Sequence, residues 1–402
     1  MADLGYMAVD WEQRINFDRL RRERLGKAKA ALDASDLNAL LILRFEDARY
    51  LTGFRCHMGP VATAGLLVVG VLPRGAEPVL FTMDYEWARQ RMTWLDGDQL
   101  QPPVQVDSPD GAEEFARRLK ALKISLEGRI GVDIWTPPIE NALKSAFPKA
   151  EFVDGYSVLL RAKAVKTEDE IDCLKAAYDL TEAGMEAALQ TLRPGVRECQ
   201  VLAEAWRAMT ALGSEWTQCS NIVCSGPNTA PYRRLTGDRV ILKGDPVIID
   251  IGGCYNGYWG DFTRVYVCGD AVPSKEQVKL HQASYDSLFA ACEAAVVSNT
   301  TADVYRAAEP NILWLLGHGS GTSPWEPPLL TPDNREPLVP MMEFSIEPYV
   351  GRPGVGGFRL ENNLVIRAEG PEIFTRYPFD ERLLDHTHRL DVTTGWGAAR
   401  RG

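Results

Sequence analysis

From Val247 to Ile251 the chain is apolar apart from Asp250, and from Phe262 to Val267 it is rich in β-branched and aromatic residues. Between them, Cys254 to Gly257 carries Asn-Gly turn chemistry. The pattern predicts a hairpin turning near Tyr255 and Asn256, with Asp250 and Asp261 nearly opposite one another at the roughly 5 Å of a cross-strand pair. Met341 to Glu347, ended by Pro348, and Phe358 to Ile366 read as two further strands, so Glu347 and Glu361 are each expected on a hydrogen-bonded ladder. His318 stands between Gly317 and Gly319 and is expected in a loop, where bare backbone can approach a ligand.

The first half of the chain has a different rhythm. Phe17 to Ala34 repeats Phe17, Leu25, Ala28 and Leu32 on one helical face, with arginines on the other. Strand-like runs follow at Ala39 to Leu43, Ala64 to Leu72, Pro78 to Thr82 and Arg129 to Asp133, with helical stretches between, which predicts an α/β amino-terminal domain. Thr167 and Glu170 form a capping-box signature, and Ile171, Leu174, Tyr178, Thr181, Met185 and Ala188 then step along the inner face of one long helix. After Ala302 only Asp303 to Glu309 is helix-like before Pro310 interrupts it. The expected division is an arm over 1–16, an amino-terminal domain over 17–155, a catalytic domain over 156–385 and a tail over 386–402.

Composition narrows the function classes. With 402 residues, 45% hydrophobic and 25% charged, the chain reads as an ordinary soluble protein of two domains. A net charge of −11 argues against nucleic acid or an anionic membrane surface as partner. The longest apolar stretch, Ala62 to Leu72, is too short to span a bilayer, and the first residues show no basic region followed by an apolar core. The eight cysteines include no C-x-x-C pair and are expected as reduced thiols in a cytoplasmic protein.

Asp250, Asp261, His318, Glu347 and Glu361 are thus spread over separate apolar or glycine-rich frames, where a lone buried carboxylate costs several kcal/mol unless a partner is supplied. A divalent metal is the economical partner for all five. Four carboxylates with one imidazole suit Mn²⁺, Fe²⁺ or Co²⁺ better than Zn²⁺, and are too many for one catalytic Zn²⁺, so two ions about 3.5 Å apart are expected.

Two aspartates eleven residues apart, a His in HGSG, a Glu in a strand before Pro348, and a Glu in the Arg359-Leu360-Glu361 strand resemble the pita-bread metalloenzymes, which include Xaa-Pro aminopeptidases and dipeptidases and creatinase. The resemblance covers nearly the whole chain. It implies an α/β amino-terminal domain followed by an α+β pita-bread (creatinase/aminopeptidase-like) catalytic domain. It further implies that Asp250 holds one ion, that His318 and Glu347 hold the other, and that Asp261 and Glu361 bridge both. Homodimerisation and a dipeptide or other small-molecule substrate are implied as well.

Two departures qualify that template. Where the peptidases carry a second His, seven residues after the ligand His, this chain has Trp325 before Glu326; where a third His follows an SGPN stretch, it has Arg233. Those imidazoles serve as donors to the scissile carbonyl, and losing such a donor costs on the order of 100-fold or more in rate. The SGPNTAPY stretch at 225–232 and TRYPFDERL at 375–383 are similar to the dimethylsulfoniopropionate lyase branch, although Pro324 stands where that branch has its acidic base.

The expected function is accordingly a dinuclear metal-dependent hydrolase specialised for a small carboxylate-bearing substrate, with a metal-dependent lyase or a non-peptidase amidohydrolase as alternatives. Glu347 is the expected proton shuttle. Trp325, Arg233, Arg359 and His57 are the expected substrate contacts; for Arg233 and Arg359 the alternative is an ion pair with a nearby Glu. His57 is placed on the expectation that the amino-terminal domain reaches a partner's site, with a plain loop or core histidine as the alternative. His386 and His388 are expected to face solvent.

Overall fold

A computed structural model describes residues 15–55, 68–124, 126–216, 222–232, 235–311 and 313–385. The chain forms two compact units. The first holds residues 1–174 with two short returns, 256–258 and 321–327, and the second holds the rest.

The first unit is built on six strands: β1 Ala39–Ile42, β2 Val68–Pro73, β3 Val79–Thr82, β4 Leu100–Gln101, β5 Gly128–Val132 and β6 Ala150–Asp154, in the order β4-β3-β2-β1-β5-β6. β1 runs antiparallel to β2 and parallel to β5. Leu41, Val69, Phe81 and Ile130 pack on one face and Leu40, Ile42, Val68 and Leu80 on the other. Burial on both faces explains why these strands read as unbroken apolar runs rather than alternating ones.

The helix Phe17–Asp33 buries Leu20, Arg24, Ala28 and Leu32, a strict four-residue stripe. Of the expected stripe, Ala28 and Leu32 are buried and Leu25 packs partly buried against the same core; the correction is Arg24, expected on the solvent face, which goes inward, where its Nη1 meets the Tyr258 hydroxyl at 3.4 Å. The helix Tyr156–Ala164 also belongs to this unit, so the division falls after Leu174 and not at 155. That helix delivers Lys163 into a buried cluster in which its ammonium bonds Asp47 at 2.9 Å and Glu326 at 2.8 Å. Lys166 takes the other Glu326 oxygen at 3.0 Å.

In the second unit, β7 Ile222–Ser225, β8 Pro246–Ile251 and β11 Phe262–Val267 form an antiparallel sheet in the order β11-β8-β7. The short strands β9 Cys254–Tyr255 and β10 Tyr258–Trp259 close the hairpin between β8 and β11. Asn256 (φ 49°) and Gly257 (φ 80°) supply the two left-handed residues that a type I′ turn requires. The strands β12 Gly317–Gly319, β13 Glu326–Leu330, β14 Glu343–Ile346, β17 Asn362–Arg367 and β18 Gly370–Ile373 make a second sheet in the order β13-β12-β14-β17-β18. β15 Tyr349–Arg352 and β16 Gly356–Arg359 form a separate ribbon. Helix Lys275–Ala294 shares the principal core with Ile248, Val265, Phe344, Ile346, Phe358 and Leu364. The helix Glu168–Thr191 begins with the expected capping box, and Ile171, Leu174, Tyr178, Met185 and Ala188 are buried as the periodicity predicts.

Candidate metal centre

All five expected ligands lie in the second unit, and none is more than 2% exposed. Asp250 sits on β8 opposite Thr263 of β11, and Asp261 directly precedes β11, so the hairpin turns both carboxylates to one place. Two local expectations are corrected. His318 lies within strand β12, opposite Ser345 of β14, and not in a loop. A Cβ on Gly317 would come within 2.1 Å of the Ser345 carbonyl oxygen, so that glycine admits a neighbouring strand and not a ligand. Phe358 to Ile366 is not one strand but the end of β16 and the start of β17, in different sheets, with Glu361 at the corner between them. Glu347 occupies the matching corner between β14 and β15.

These corners bring the side chains together. One carboxylate oxygen from each of Asp250, Asp261 and Glu361 lies within 4.8 Å of the others. Nε2 of His318 stands 3.7 Å from Asp261 Oδ2 and 3.7 Å from Glu347 Oε1. Its Nδ1 lies 3.0 Å from the Gly319 carbonyl, which can only accept, so Nδ1 donates there and Nε2 is the ring nitrogen that faces the carboxylates. Oδ1 of Asp250 is buried with no hydrogen-bond partner. Glu361 is pushed up to about 7, first by burial and then by the Asp250 charge, against the pull of Arg359. A crowded, repelling set of hard oxygen donors with one imidazole fits divalent metal ions.

Around the ligands lies a positioning shell. Thr263 Oγ1 donates to Glu361 Oε2 at 2.8 Å, and Asn363 Nδ2 donates to Glu361 Oε1 at 3.1 Å and to Ser345 Oγ at 2.7 Å. Arg359 is 5% exposed and forms ion pairs with Asp250 and Glu347. Two of the converging carboxylates are thus ion-paired with one guanidinium. Burial alone would lower its pKa, but Tyr232, Asp250 and Glu361 together raise it and keep the guanidinium charged.

Tyr232 was not among the residues expected at the site. Its hydroxyl donates to Asp250 Oδ2 at 3.0 Å and accepts from Arg359, and its ring packs 5.0 Å from that of Tyr349. Only its place at the end of SGPNTAPY hinted at it. Trp325 is 40% exposed and falls in the short 321–327 return of the first unit. His57, Arg233, His386 and His388 lie outside the described residues.

Buried carboxylates with one imidazole, gathered from separate strands and corners, fit a metal-dependent hydrolase of the peptidase kind. The chain belongs to metallopeptidase family M24, whose profile matches residues 172–368, while that of the creatinase/prolidase N-terminal domain matches residues 24–165. It is 26% identical over 366 residues to the Xaa-Pro dipeptidase of Pyrococcus furiosus, spanning 88% of this chain and 98% of that one. It is 30% identical over 369 residues to the probable dipeptidase PepE of Mycobacterium tuberculosis, spanning 86% and 92%. The structure of dipeptidase PepE from Mycobacterium ulcerans superposes with a TM-score of 0.74 at 28% identity, over 90% of this chain and 97% of that one. The fold is thus the pita-bread fold preceded by a creatinase-type amino-terminal domain, and family membership implies divalent metal ions.

Proposed function

We propose that this protein is a dinuclear metallohydrolase, resembling the Xaa-Pro dipeptidases, that cleaves an amide bond in a specialised small carboxylate-bearing substrate. The observation that carries the reading is the convergence of Asp250, Asp261, His318, Glu347 and Glu361 on one buried point. Five ligands exceed the needs of one ion, which supports a pair, with Mn²⁺, Fe²⁺ or Co²⁺ more fitting than Zn²⁺. When bound, such ions supply Lewis-acid polarisation of a carbonyl and activation of water at neutral pH. Glu347, at its corner beside His318, takes the proton and returns it to the leaving amine. Arg359 and Tyr232 hold Asp250 and Glu347 in place, and Asn363 and Thr263 hold Glu361.

Trp325 and Arg233 stand where the family's peptidases carry histidines. In this reading Arg233 receives the substrate carboxylate and Trp325 offers an aromatic wall, worth roughly 0.5 to 2 kcal/mol to a cationic head group. His57 stays as an additional contact contributed by a partner chain. The assembly is a homodimer and the compartment the cytoplasm. Cys173, Cys199, Cys268 and Cys292 are free thiols, and no helix among the described residues is long and apolar enough to cross a membrane. Sedimentation at a single chain mass would refute the dimer.

A turnover screen with Mn²⁺, Co²⁺, Fe²⁺ or Zn²⁺ over Xaa-Pro dipeptides, other dipeptides and small zwitterionic acids tests the activity. Expected is amide hydrolysis requiring a free substrate carboxylate, with proline dipeptides turned over well below about 10 per second. Trp325→His combined with Arg233→His should move activity toward peptides. Ordinary turnover of proline dipeptides by the wild type would overturn the specialisation, and elimination from a sulfonium acid without hydrolysis would replace the hydrolase by the lyase.

A further inference from the structure

β11 carries one cation, Arg264, in the run Phe262–Val267, and its side chain is 1% exposed. Its partners are all uncharged. Nε donates to the Tyr377 carbonyl at 3.0 Å, Nη1 to the carbonyls of Thr263 at 3.1 Å and of Glu361, and Nη2 to Asn362 Oδ1 at 3.1 Å. The guanidinium is sandwiched between the rings of Phe262 and Phe379, 4.3 and 4.0 Å from their centroids. Among the described residues it forms no ion pair. A buried cation without a counter-ion costs several kcal/mol, and an apolar side chain of similar volume is often no less stable. Packing alone therefore gives no reason for an arginine here.

What the fork holds supplies a reason. Two of the carbonyls in its grasp belong to Glu361, a ligand, and to Thr263, whose hydroxyl binds the Glu361 carboxylate at 2.8 Å. The third belongs to the closing stretch 374–383, which lies along β11 and β17. Phe374 N donates to Asn363 O at 2.8 Å, Asn363 N to Thr375 Oγ1 at 3.1 Å, Tyr266 to Pro378 O at 2.5 Å and Val267 N to Asp380 Oδ2 at 2.9 Å. One planar cation thus joins a carboxyl-terminal strap to the corner that carries Glu361.

We propose that Arg264 is a positioning residue that locks the Glu361 corner to this strap and so sets the affinity of the centre for its divalent ions. The idea rests on the reading of the centre as a divalent-metal site. Lysine keeps the charge but, as a point ammonium, cannot span carbonyls on three segments.

The test is titration of metal-stripped full-length protein with Mn²⁺ by calorimetry and with Co²⁺ by its visible absorption. Wild type comes first: if it binds neither ion, the metal reading itself fails. Arg264→Lys should bind about ten- to a hundredfold more weakly and show an altered Co²⁺ spectrum. Arg382→Gln serves as the control. Arg382 donates to the carbonyls of Val267 at 2.6 Å and Gly269 at 2.5 Å and pairs with Asp380, anchoring the strap without touching Glu361. It should lower the melting temperature and leave metal affinity unchanged. Wild-type affinity in Arg264→Lys, with only a lower melting temperature, would overturn the proposal. Should that variant not fold, Phe379→Leu opens one side of the sandwich: weakening of about threefold or more supports the idea, and unchanged affinity overturns it.

Discussion

Two buried clusters of charge, one in each unit, are built on opposite principles. In the first unit Asp47 and Glu326 face Lys163 and Lys166, two anions against two cations, each charge directly bonded. Burial would raise the Glu326 pKa, yet the two lysines outweigh it and pull it down to about 2. In the second unit Asp250, Asp261, Glu347 and Glu361 have Arg359 as their one ion-paired arginine among the described residues, and Glu361 is pushed up to about 7. A balanced cluster is complete in itself and acts as structure. An unbalanced one is complete only with added positive charge, and that deficit is the physical signature of a binding site.

The comparison breaks most sharply at Asp261. Asp261→Ala should lower turnover by about a thousandfold or more and remove most bound metal. Because it relieves repulsion, the metal-free variant should melt no lower than metal-free wild type; elemental analysis and calorimetry check both halves. Lys163→Met in the balanced cluster should do the reverse. It strands the buried Asp47 carboxylate, leaves Glu326 with Lys166 alone and costs about 3 to 5 kcal/mol in denaturant unfolding, while metal content per folded chain stays at the wild-type value.

His281 is a buried ionisable group outside both clusters, with Asp380 and Arg264 acting on it more weakly than burial, and should fall between these cases. It is buried beside Phe358, with ring centroids 5.9 Å apart, and burial pushes it down from 6.5 to about 4. Between those pH values the unfolded chain binds a proton that the native protein refuses. The stability is therefore full above pH 6.5 and lost as pH falls toward 4. His281→Phe should remove about 2 to 3 kcal/mol of that acid destabilisation, read as the difference in unfolding free energy between pH 7 and pH 4. An unchanged pH profile would show that the histidine is not held neutral. The smallest effect is Thr167→Ala, which removes a capping-box hydroxyl and should cost about 1 kcal/mol of stability with no change in metal binding.

The convergence of the five candidate ligands was legible because each is a charged or imidazole residue inside a frame that otherwise reads as buried. Arg264 carried the same signal in FTRVYV, since a lone cation in a buried strand also needs an explanation, but its uncharged partners are drawn from segments that no local pattern connects. The strand break at Leu360 and Glu361 was invisible, because hydrophobic periodicity reports burial and not a change of sheet. Arg24 was misplaced for a related reason. The Tyr258 hydroxyl it meets is supplied 234 residues later, and helical spacing alone assigns arginine to solvent. Tyr232 follows a turn whose sequence gives no hint of where its ring is aimed.

The spread of the five candidate ligands over separate strands and corners also bears on when the centre comes into being. Only Asp250 and Asp261 are joined by a local hairpin; Glu361 stands 100 residues beyond Asp261, after β12 and β14, which carry His318 and lead to Glu347. A nascent chain, or one folded only as far as β11, offers two carboxylates, too few for tight capture. Metal therefore cannot template the early steps of folding, since the loops that separate its ligands must close first. Acquisition of the ion becomes a timer for the last step, and its rate reports completion of the fold.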